Sequence, residues 1–123
     1  MLLQIEEKRL EPDITLVELK GRLSLGRESQ RVESMAHQFL KSGQAKVILD
    51  MNGVDYIDSA GIGILALVSG QLKEAGGQLV VVVPEGRVLQ MLRLTQITQI
   101  VTVSSTVAEA MNVLGDAFPP AAA

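Results

Sequence analysis

The chain predicts a single α/β domain, built on a mixed sheet of about five strands with about four helices. Three observations lead there. A segment of alternating polarity at the start and a second strand-like run are joined by the turn material Glu11-Pro12-Asp13. Two later runs, Val47-Ile48-Leu49 and Leu79-Val80-Val81-Val82-Val83, lack polar alternation and read as strands covered on both faces. Between and after them the apolar residues recur at helical spacing.

In order, Leu3, Ile5 and Glu7 alternate with Gln4, Glu6 and Lys8, which suggests an edge or half-exposed strand. Ile14 to Lys20 forms its antiparallel partner, and Gly21 is expected to close the hairpin. Val32, Met35, Ala36, Phe39 and Leu40 then define one face of a helix from about Gly26 to Ser42, with Gly43 as its terminal glycine. Val47 to Leu49 is the next strand. Met51 to Asp58 reads as a loop, and Asp58-Ser59 opens a helix that ends at Gly76-Gly77. Leu79 to Val83 completes a βαβ unit and Pro84 ends that strand, with a right-handed crossover expected. A short helix follows over Arg87 to Leu94, a strand over Ile100 to Val103 and a last helix over Thr106 to Leu114. Thr106 and Glu109 have capping-box spacing. The domain is expected over residues 1–115, with a flexible tail over 116–123.

Composition excludes several classes of function. Hydrophobic residues make up 47% of the chain and charged ones 20%, so it is no disordered polyelectrolyte. Its apolar mass is aliphatic: two Phe, one Tyr and no Trp leave few platforms for stacking bases. The net charge of −3 argues against nucleic acid or an anionic membrane as the principal partner. No cysteine is present, which removes disulfides, zinc ribbons and thiol nucleophiles together. Met1 to Leu10 has no apolar signal core, and the low-charge run Ser59 to Leu72 is too short to span a bilayer. A soluble cytoplasmic protein with a protein partner is expected.

The most informative stretch is Asp58-Ser59-Ala60-Gly61-Ile62-Gly63. It sets a hydroxyl at the start of an apolar helix, where the helix dipole and free N–H groups tolerate a phosphate. Hydrolysis by Ser59 itself lacks its parts: glycines do not flank the serine at elbow spacing, and the only histidine is His37, on the first helix. Asp50, Asp55 and Asp58 surround one segment, but strand end, turn and helix cap account for each more simply than a cation does. A receiver-type phosphoaspartate fails on position. Gly61-Ile62-Gly63-Ile64-Leu65-Ala66 matches the dinucleotide fingerprint, with Glu85 about twenty residues on; the intervening Met51 to Asp58 segment weakens it. Close packing of the helix on the sheet is the simpler role for those glycines. No metal or cofactor is expected.

Val47 to Gly63 as a whole, Val-Ile-Leu-Asp-Met-Asn-Gly-Val-Asp-Tyr-Ile-Asp-Ser-Ala-Gly-Ile-Gly, resembles the signature of STAS domains, in particular bacterial anti-sigma factor antagonists. Gly76-Gly77 before a valine strand, Val88 to Leu94 and Glu109-Ala110 agree with it. The resemblance implies a non-enzymatic switch. The unphosphorylated antagonist captures an anti-sigma factor that is also a serine kinase, and so frees a sigma factor. The partner, using its own ATP, phosphorylates Ser59 and breaks the complex; a phosphatase resets it. The expected docking surface is Ser24, Gly26 and Arg27, then Asp55, Tyr56, Asp58 and Ser59, then Ala60, Gly61 and Ile62. One departure is Ser24, which follows Gly21-Arg22-Leu23 where family members often carry an aspartate. A scaffold or sensor role in another signalling assembly, and a small nucleotide-binding protein, are the alternatives. Self-association is left open.

Overall fold

The computed structural model describes residues 3–11, 13–24 and 26–117, without the side chains at 11, 27–29 and 116–117. Strand β1 (Gln4–Glu11) turns into β2 (Ile14–Leu23), and α1 (Arg27–Lys41) leads to β3 (Lys46–Ile57). Then come α2 (Ser59–Glu74), β4 (Gln78–Val82), α3 (Arg87–Leu94), a 3-10 turn (Ile97–Gln99), β5 (Thr102–Ser104) and α4 (Val107–Ala117). The sheet order is β1-β2-β3-β4-β5; β1 and β2 are antiparallel and every later neighbour is parallel. This is the mixed α/β sheet expected.

The two apolar strands are central because both their faces are covered. Val47, Leu49, Leu79 and Val81 pack with Val32, Ala36 and Phe39 of α1, Leu65, Val68 and Leu72 of α2, and Leu89 and Leu92 of α3. Ile48, Val80 and Val82 point the other way, into a smaller core closed by Ala110 and Leu114 of α4. Each such buried aliphatic side chain contributes about 1.5–3 kcal/mol over its exposed state. Three helices therefore sit on one face and one helix on the other, and α1, α2 and α3 all begin at the C-terminal ends of parallel strands.

Several boundaries differ from expectation, each for a local reason. Gly21 does not close the hairpin. It sits buried inside β2 at φ 114, where the β2–β3 register shifts, and the strand continues to Leu23. β3 likewise does not stop at Leu49 but runs to Ile57, so Met51 to Ile57 is strand rather than loop. Its pairing with β2 slips twice, between Glu18 and Lys20 and between Gly21 and Arg22. Such bulges let the turn-forming residues Asn52, Gly53 and Asp55 stay in the strand while it bends. Near the end of the chain, Ile97 is buried in the 3-10 turn and Ile100 is left 65% exposed, so β5 starts only at Thr102. Thr106 Oγ1 accepts from the Glu109 N–H at 3.1 Å, while the Glu109 carboxylate takes the N–H and hydroxyl of Ser105 rather than the N–H of Thr106. α4 runs to Ala117, into the expected tail; residues 118–123 lie outside the described ones.

Candidate functional site

β2 and β3 end side by side, with Leu23 paired to Ile57. The chain leaves β3 at Asp58 and enters α2 at once, which places Ser59 on the first turn of a 16-residue helix. Asp58 is the N-cap: it is extended, and its Oδ1 accepts the Gly61 N–H at 3.0 Å. Its backbone N–H donates to the Leu23 carbonyl at 3.4 Å, and its carbonyl accepts from the Ile62 N–H at 3.0 Å. The helix start is thereby tied to the end of β2. Ser59 itself is exposed.

Gly61 explains why α2 can start so close to β2. A Cβ there would collide with the Leu23 carbonyl oxygen and stand 2.8 Å from Ile57 Cγ1. Gly61 is buried and is a packing residue, so its own surface is not presented to a partner. Gly63 is exposed, and a Cβ there would meet nothing within 4 Å. The two glycines of the fingerprint thus have different jobs.

The rest of the expected surface gathers around this junction. Ser24 and Gly26 are half-buried just past Leu23, and Gly26 is the N-cap of α1. Arg27 begins α1, but its side chain lies outside the described residues. Asp55 and Tyr56 are exposed on the last residues of β3, and Ala60 and Ile62 are half-buried on the first turn of α2. The sequence reading left Arg22 out of this group. Its guanidinium lies 4.2 Å from the Tyr56 ring centroid, on the cross-strand partner of Tyr56. No residue pattern announces that pairing, because it depends on the second bulge.

The competing chemistries find no support in this geometry. Asp50 turns back on its own strand, accepting from the N–H and side-chain amide of Asn52 at 2.9 and 2.7 Å. Among the described residues no group of three or more acidic, histidine or cysteine side chains could hold a metal ion. The interposed loop that weighed against a dinucleotide is absent, since β3 runs straight to Asp58. Two other facts stand against that reading: Gly61 is filled by Leu23, and the strand order never reverses to open a crevice. Glu85, the expected ribose ligand, is exposed and pairs with Arg93 at 3.5 Å. His37 is exposed on α1. Among the described residues no helix is long and apolar enough to cross a membrane.

Comparison with known proteins agrees with this architecture. The family model for the STAS domain matches residues 7–110. A Thermotoga maritima protein provisionally named an anti-sigma factor antagonist is 32% identical over 75 residues, which is 61% of this chain and 66% of the relative. The chain thus spans just under two thirds of that relative's length. The crystal structure of a Thermotoga maritima protein of the same provisional name superposes with a TM-score of 0.81 at 24% identity, covering 89% of this chain and 93% of that one. SpoIIAA of Bacillus, solved unphosphorylated and phosphorylated, gives TM-scores of 0.70 and 0.69 at 14% identity. Each match covers 89% of this chain, and 96% and 98% of the two SpoIIAA chains. With its bulged β3 delivering Asp58-Ser59 to the start of α2, the chain belongs to the STAS domain family.

Proposed function

We propose that this protein is an anti-sigma factor antagonist, active when Ser59 is unmodified and switched off by phosphate on Ser59. The observation that carries this reading is the placement of Ser59: an exposed hydroxyl on the first turn of α2, beside a cap that already has its own hydrogen bonds. A kinase can reach such a hydroxyl without unfolding anything. The phosphate adds nearly two negative charges next to Asp58, and the helix N-terminus offsets part of the repulsion. The modified protein keeps its fold while its surface becomes more negative. SpoIIAA, whose two forms match this chain almost equally, retains this fold with and without phosphate.

In this reading the partner is an anti-sigma factor that is a serine kinase and brings its own ATP, and a phosphatase restores the hydroxyl. STAS anti-sigma factor antagonists are non-enzymatic regulators, and the chain acts in the cytoplasm as a docking module. The docking surface is Ser24, Gly26, Arg27, Asp55, Tyr56, Asp58, Ser59, Ala60 and Ile62, with Gly61 fixing the helix beneath it. The test is binding of wild type, Ser59→Ala and Ser59→Glu to the cognate anti-sigma kinase, with phosphopeptide mapping after incubation with ATP. Ser59→Glu should weaken capture at least about tenfold, or about 1.4 kcal/mol. Ser59→Ala should bind as wild type and resist release by ATP. Equal capture by all three proteins, with phosphate mapped elsewhere, defeats the proposal.

A further inference from the structure

The two edges of the sheet are unlike. β5 offers three residues, whereas β1 offers eight, a ledge of about 26 Å at the usual rise per residue. A free edge of that length presents a row of backbone N–H and C=O groups to any matching strand. β1 carries four consecutive exposed charges, Glu6, Glu7, Lys8 and Arg9. Scattered lysines would simply repel a neighbour. Here the two signs are blocked, acids first and bases second, so an antiparallel copy of the strand can set Glu6 of each copy against Lys8 of the other.

We propose that β1 pairs antiparallel with β1 of a second copy of this chain, about a two-fold axis through Glu7, to make one continuous sheet. Such an axis stands perpendicular to the sheet and keeps each face on its own side, so residues of like parity come opposite one another. On the face of α4, Glu6 then lies opposite Lys8 of the second copy, and Lys8 opposite its Glu6. Lys8 already holds Glu18 of β2 at 3.1 Å, so it sits between two carboxylates once the copies join. On the face of α1, Ile5 lies opposite Arg9 of the second copy, and Glu7 lies diagonal to that Arg9. The two Glu7 side chains meet at the axis, each in a groove it shares with Arg31 of α1, whose guanidinium is anchored on the Leu3 carbonyl at 3.0 Å. This register pairs Ile5 to Arg9, the regular part of β1, and reaches the irregularity between Arg9 and Glu11 only at its last pair, Gln4 with Leu10. A shift of two residues toward Lys8 would run the strands through it and into Pro12.

The chain has no cysteine, which makes the axis directly testable. Glu7→Cys should form a disulfide dimer under mild oxidation, while Gln90→Cys, exposed on α3, should not. Adding Ser59→Glu should leave the yield unchanged, since Ser59 is not on this edge. Sedimentation of the full chain across micromolar to millimolar concentration should show a dimer that weakens with salt. Glu6→Lys and Lys8→Glu should each weaken it about tenfold, and the double swap should restore it. Thermal melts identify any variant that fails to fold, in which case the cysteine result decides alone. A wild type that stays monomeric with no Glu7→Cys cross-link overturns the proposal, as does a double swap no better than the single changes. A monomer whose capture of a partner protein is lost in Glu6→Lys would mean that a strand of that partner, not a second copy, takes the edge.

Discussion

Gly61 lies flat against the carbonyl of Leu23, so close that even a methyl group on it would overlap the oxygen. The same carbonyl receives the backbone N–H of Asp58, whose side chain caps the Gly61 N–H. Leu23 therefore fixes the angle at which α2 leaves the sheet, and with it the position of Ser59. Gly61→Ala is expected to force the helix start away from β2 and to cost about 1–3 kcal/mol, the usual penalty for overpacking. Thermal or urea unfolding measures the loss. Capture of the proposed anti-sigma partner should fall further than the lost stability explains, because the Asp58-Ser59 turn is displaced in the molecules that remain folded.

Gly70 gives the opposite outcome. It lies within α2, is exposed, and a Cβ there would meet nothing within 4 Å. Gly70→Ala should stabilise the protein by about 0.5–1 kcal/mol through helix propensity and unfolded-state entropy. Partner capture should be unchanged. The pair of substitutions separates a glycine held by packing from one that is merely tolerated.

The sequence made the fold class and the place of Ser59 at a helix start legible because both are written in local terms. Val80 and Val82 announce a two-faced strand, Val32, Ala36 and Phe39 a helix stripe, and Asp58 a cap. What it hid was long-range. Asn52-Gly53 and Asp55 have the composition of a turn, yet they lie in β3 because bulges against β2 absorb them. Gly21 reads as a stop and is instead a kink within a continuing strand. Arg22 became part of the site only through its cross-strand meeting with Tyr56. Register is set by pairing partners that composition does not name.

Lys46 and Asp13 link the start of β3 to the β1–β2 turn at 2.6 Å. The hydrogen bond from Lys46 is the main reason that the Asp13 carboxyl titrates below its ordinary value. A carboxyl depressed in the folded state adds stability above its unfolded pKa, and that stability is lost as pH falls through the folded value. The Asp13 side chain is 62% exposed, so the contribution stays under about 1 kcal/mol. Urea midpoints measured from about pH 6 down to about pH 2 should fall less steeply for Asp13→Asn than for wild type. Parallel curves for the two proteins would mean that the pair holds no net charge energy.

Asp58 combines two roles that substitution can pull apart. As a cap it supplies an acceptor to the Gly61 N–H; as a carboxylate it stands one residue from the hydroxyl proposed to be phosphorylated. Asp58→Ala removes both and should cost about 1 kcal/mol. Asp58→Asn keeps an acceptor oxygen in the same place and should cost much less, while deleting the negative charge. If phosphate on Ser59 is opposed by that charge, phosphorylated Asp58→Asn should lose less stability relative to its own unmodified form than wild type does. Thermal unfolding of wild type and Asp58→Asn, each with and without phosphate on Ser59, measures the coupling as a double-mutant cycle. A coupling of zero would mean that Asp58 serves Ser59 only by building the first turn of the helix.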